Sequence, residues 1–67
     1  MKEYIKRMVD EAKELEDKIW KARDFVNSEL GNNILDDNQK KLLRTQIQKM
    51  QEYLDVLEIR IEYDKMK

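Results

Sequence analysis

The sequence predicts an all-α protein: an antiparallel two-helix hairpin that oligomerises into a helical bundle. Two apolar rows in heptad spacing, one Asn-rich break between them and the absence of proline carry that expectation. The chain has 67 residues with a single glycine, and 43% of them are charged, which leaves little room for the turns a sheet requires.

The first helix is predicted over 2–29. Ile5, Met8, Ala12, Leu15, Ile19, Ala22 and Val26 recur at alternating steps of three and four, so they form one seam along a helix. A turn is predicted over 30–36, where the only glycine, Gly31, meets Asn32 and Asn33 after Asn27 and Ser28, a composition suited to a helix C-cap. Leu30, Ile34 and Leu35 are expected to plug the end of the hairpin. The second helix is predicted over 37–64, with Asp36 as its N-cap, Gln39 closing a capping box and Asp37 favouring the positive end of the dipole. Its seam is Leu43, Ile47, Met50, Leu54, Leu57 and Ile61. The whole chain, 1–67, reads as one unit.

Two helices of this length enclose a small core, and small helical scaffolds commonly compensate by associating. Val9, Trp20, Phe25, Leu42, Val56 and Ile59 lie off the seams and call for cover by another chain. A homo-oligomer is therefore expected: a dimer of hairpins, a tetramer or a larger symmetric assembly. Trp20 reads as an oligomer contact or an apolar anchor rather than a base-stacking platform.

Composition excludes several function classes. With neither His nor Cys, the chain lacks the commonest general base and the thiol nucleophile, and no glycine-rich phosphate loop is present. No catalytic residue, metal site or cofactor is expected. Glu11 and Glu14 lie about one turn apart, but beside Arg7 and Lys18 they read as ion-pair partners rather than an acid and a base. The four methionines read as start, core and tail residues. No apolar run is long enough for a membrane span or signal peptide, so a cytoplasmic protein is expected. The net charge of -1 gives no overall field to draw in DNA, so neither DNA nor a membrane is an expected partner.

One polar pattern stands out. One place before the first seam runs a second row: Tyr4, Arg7, Glu11, Glu14, Lys18, Lys21 and Phe25. The second helix carries Gln46, Lys49, Tyr53 and Arg60 in the equivalent row, with Leu42, Val56 and Tyr63 in line. In an antiparallel pair these flanks meet on one side. Counting from the turn brings Lys21 near Gln46, Lys18 near Lys49, Glu14 near Tyr53 and Arg7 near Arg60. Cations interleaved with tyrosines suit phosphate plus nucleobase: guanidinium grips phosphate oxygens, rings stack on bases, and Gln46 can read a base edge. Salt bridges around an oligomer seam explain the same rows. Periodicity leaves both readings open.

The stretch from Leu42 to Ile61 resembles a family of very small proteins of tailed phages, including crAss-like phages, with Gln46, Met50, Tyr53, Leu57, Arg60 and Ile61 carrying the match. In the first helix, Arg7, Glu11, Glu14, Leu15, Lys18, Lys21 and Phe25 are similar to the same pattern, whereas Asn32 and Asn33 have no counterpart in it. The resemblance implies an anti-CBASS phage protein, an oligomeric sponge that captures cyclic oligonucleotide signals of bacterial immunity without cleaving them. It implies a cyclic dinucleotide ligand, with Arg7, Lys18, Lys21, Lys49 and Arg60 near phosphates and Tyr4 and Tyr53 on bases. The alternative is a helical structural oligomer acting on a host protein.

Overall fold

The computed structural model describes residues 2–66; Met1 and Lys67, the ends of the unit read from the sequence, lie outside the described residues. The described residues are almost entirely helical: α1 (Glu3–Asn27), α2 (Glu29–Ile34) and α3 (Asp37–Lys65). None of these helices is long and apolar enough to cross a membrane.

The long helices lie against one another through the residues of the two heptad rows. Ile5 and Met8, near the start of α1, pack with Leu57 and Ile61, near the end of α3. Ile19 and Val26 pack with Ile47 and Leu54, and Leu15, Ala22, Leu43 and Met50 line the same cluster. Ala12 touches both clusters and joins them into one strip of core. The molecule is correspondingly a rod, 48 × 15 × 12 Å. Among the described residues every buried apolar side chain belongs to a predicted seam, because a period near 3.5 keeps one stripe facing the partner helix over many turns.

The connection departs from expectation. Instead of a turn over 30–36, residues 29–34 form a short helix, and Gly31 has no left-handed φ. Ser28 is the pivot. Its backbone N–H donates to the Phe25 carbonyl at 3.2 Å, closing α1, and its hydroxyl donates to that same oxygen at 2.7 Å. The hydroxyl oxygen then accepts from the Gly31 N–H at 3.0 Å, which caps α2. The first helix thus ends at Asn27 and not at residue 29, because a serine that satisfies free amides ahead of it starts a new helix more readily than it continues the old one.

Gly31 is needed here for closeness. A β-carbon at this position would be driven into the Phe25 carbonyl oxygen and come within 3.3 Å of the Ser28 hydroxyl. Leu30 and Ile34, expected as an apolar plug, are each 61% exposed. They share the outer face of α2 at i and i+4 while Gly31 occupies the buried one, so only Leu35 is half-buried at this end. The Leu35 N–H closes α2 on the Gly31 carbonyl at 2.9 Å.

α3 starts as read. The Gln39 N–H donates to Asp36 Oδ1 at 2.7 Å and the Asp36 N–H donates to Gln39 Oε1 at 2.9 Å, a complete capping box.

Candidate functional site

The site is a surface stripe, laid out by helical periodicity one place ahead of each core row. Because side chains three or four apart share a helix face, α1 presents Tyr4, Arg7, Glu11, Glu14, Lys18 and Lys21 along one flank of the rod, all exposed. α3 presents Gln46, Lys49, Tyr53 and Arg60, also exposed.

The two flanks are joined at Tyr53. The Tyr53 hydroxyl donates to Glu11 Oε1 at 2.6 Å, so the rows from α1 and α3 meet on the same side. The partner differs from the expected Glu14, which forms no hydrogen bond or ion pair within the described residues. Counting from the turn treated all stripe residues as equally distant from the partner helix. Heptad geometry makes two ranks, and Glu11 stands in the nearer one, directly before the core residue Ala12, where the long phenol reaches it diagonally. The hydrogen bond to Glu11, that carboxylate's charge and local desolvation raise the Tyr53 pKa above its ordinary value of 10.0, while Arg60 pulls the other way.

The cations divide into two groups. Arg7 holds Glu3 at 3.1 Å, Lys21 holds Asp17 at 2.9 Å and Lys49 holds Glu52 at 3.5 Å, each within its own helix. All six side chains are more than half exposed, so these pairs contribute little and exchange readily for another anion. Lys18, Gln46 and Tyr4 make no hydrogen bond or ion pair within the described residues, and Arg60 makes only its charge interaction with Tyr53. The expected neighbours Lys21 with Gln46, Lys18 with Lys49 and Arg7 with Arg60 are joined by no bond. The tethering acids Glu3, Asp17 and Glu52 went unread in the sequence, although their spacing of three or four from a cation is the signal that finds them.

The stripe is a surface and not a cleft. A shallow groove lies elsewhere, lined by Asp55, Glu58, Ile59 and Glu62 of α3, and its three carboxylates disfavour phosphate. Among the described residues no group of His, Cys, Asp or Glu is arranged to hold a metal ion.

No curated protein and no solved structure matches the chain. A model of the Sequestin family matches residues 2–63, a span that includes both flanks of the stripe, the Ser28 pivot and the core. With nearly its whole length accounted for in this way, the chain belongs to the Sequestin family.

Proposed function

We propose that this chain is a phage immune-evasion protein that binds cyclic oligonucleotide signals, cyclic dinucleotides first among them, and withholds them without cleaving them. The family description points to sequestration. The observation that carries the choice of ligand is the stripe. Lys18 is unengaged, Arg60 shares the row of Tyr53, and the weak exposed pairs of Arg7, Lys21 and Lys49 lie on the same flank. A cyclic dinucleotide offers two phosphates and two bases, which matches guanidinium and ammonium groups set beside tyrosine rings. Lys18, Lys21, Lys49, Arg7 and Arg60 take the phosphates; Tyr4 and Tyr53 stack; Gln46 reads a base edge.

A flat stripe shields little of such a ligand, so the pocket is completed by another copy of the chain. Trp20, Leu42, Val56 and Ile59 are 58–70% exposed in the single chain and supply apolar cover for an oligomeric bundle of hairpins. The assembly acts in the cytoplasm of the infected bacterium. The same exposed apolar residues favour a second reading, a structural bundle that docks on a host protein.

Substitution of Arg60 and Tyr53 separates the two. Arg60→Ala and Tyr53→Ala should each weaken cyclic dinucleotide binding by about tenfold or more, since a charge-assisted contact or a stacked base contributes roughly 1 to 3 kcal/mol. Oligomer mass should not change. Full affinity in both variants refutes the assignment.

A further inference from the structure

One place after the core residues of α3, on the flank opposite the stripe, runs a third heptad row. It begins with Asp37, continues through Lys41 and Arg44, crosses Gln48 and Gln51, and ends with Asp55, Glu58 and Glu62. The acidic end of this row lines the groove around Ile59, which is 67% exposed. Its middle is fixed: Arg23 of α1 donates to Gln51 Oε1 at 3.3 Å and Gln51 Nε2 donates to Asp55 Oδ1 at 2.9 Å. The side chains of Lys41, Arg44, Glu58 and Glu62 have no hydrogen-bond or ion-pair partner within the described residues.

Apart from Asp37, which suits the first turn and pairs favourably with Lys41 at i,i+4, the order of charges along this row works against the helix that carries it. Glu62 occupies the last turn, where the dipole disfavours a carboxylate. Lys41 with Arg44, Asp55 with Glu58, and Glu58 with Glu62 are like-charge neighbours at i,i+3 or i,i+4, which weaken a helix. Stability of α3 alone therefore does not explain the arrangement. Beyond Asp37, the basic pair Lys41 and Arg44 and the acidic pair Asp55 and Glu58 on one helix face are self-complementary under a twofold axis.

We propose that this face of α3 is the contact between two copies of the chain, crossing antiparallel so that the acidic groove of each receives the basic half of the other. In the heptad register that alternates near and far rows across an antiparallel pair, Lys41 faces Glu58 of the second copy, Arg44 faces Asp55 and Gln48 faces Gln51, while Asp37 and Glu62 meet as a like-charged pair at each exposed end of the contact. Every pairing occurs twice. Asp55 keeps its second carboxylate oxygen for the incoming guanidinium, since only Oδ1 is engaged. Ile59 and the aliphatic stems of Lys41 and Arg44 supply the apolar surface between the charges. The contact leaves the stripe uncovered. It rests on the self-association proposed above, and not on the ligand.

Charge exchange tests it without any nucleotide. One variant carries Lys41→Glu with Arg44→Glu, and a second carries Asp55→Lys with Glu58→Lys. By sedimentation each alone should show an association at least about tenfold weaker than the unaltered chain, falling to half its mass or lower at micromolar concentration. An equimolar mixture should recover the original mass, as should a single chain carrying all four changes. Far-UV circular dichroism should report full helicity throughout, because the positions are exposed. Retained mass in both two-residue variants overturns this contact while leaving self-association through another face. Failure of both the mixture and the four-change chain to reassemble overturns the pairing. An unaltered chain that sediments as a monomer overturns self-association altogether.

Discussion

Replacing Gly31 with alanine tests the account of how α1 passes into α2. The added methyl cannot be accommodated where Gly31 lies, because the Phe25 carbonyl, a backbone atom, occupies its place. Relief requires α2 to move away from the end of α1. That movement strains or breaks the three bonds gathered at Ser28: its N–H and hydroxyl to Phe25, at 3.2 and 2.7 Å, and the Gly31 N–H to its hydroxyl oxygen, at 3.0 Å. At about 0.5 to 1.5 kcal/mol net for each bond, the cost is about 2 to 4 kcal/mol. Alanine's better helix propensity returns at most about 1 kcal/mol. A domain of this size loses about 4 to 8 °C of Tm per kcal/mol, so a drop of roughly 10 °C is expected by thermal circular dichroism. Asn32→Ala, an exposed change in the same short helix, is the control and should melt close to the unaltered chain. A Gly31→Ala protein that melts within 3 °C of that control refutes the close-approach argument.

Leu54→Asp should abolish cooperative folding, since Leu54 is 3% exposed in the larger core cluster and a carboxylate there has no partner; retained helicity and a sharp melt would contradict it. Tyr53→Phe removes the bond to Glu11 across the flanks and should remove a pH dependence as well. The folded-state pKa of Tyr53 is raised, so its contribution is present in full below pH 10 and declines as pH rises through the folded value; titration of stability from pH 8 to 11 should show a steeper loss for the tyrosine protein. Asp36→Ala should cost about 1 kcal/mol by opening the capping box, and an unchanged denaturation midpoint would show that box to be idle.

The long helices were legible because their apolar rows are unbroken and each heptad repeats the same instruction. The capping box was legible because it is local, involving only Asp36 and Gln39. The connection was misread for the opposite reason: Gly31 among asparagines has the composition of a turn, and its actual role depends on a carbonyl six residues earlier. The N-capping role of Ser28 went unread, because the asparagine and glycine composition around it has the signature of a turn. On the stripe, periodicity sufficed to place the residues on one flank, whereas the Tyr53–Glu11 partnership depends on how far each side chain stands from the neighbouring helix. The ion pairs within α1 and α3 follow from spacing alone. The charges of the third row were equally visible and went unread.

Sequestration without chemistry is the central claim, and recovery of the ligand tests it most directly. Purified protein is mixed with a cyclic dinucleotide, the free nucleotide is measured, the protein is then denatured by heat and removed, and the released nucleotide is analysed by chromatography. The account predicts that free ligand disappears on mixing and returns intact, in the amount added, after heating. A linear or hydrolysed product would make the protein an enzyme, and undiminished free ligand before heating would show that the stripe does not hold cyclic dinucleotides.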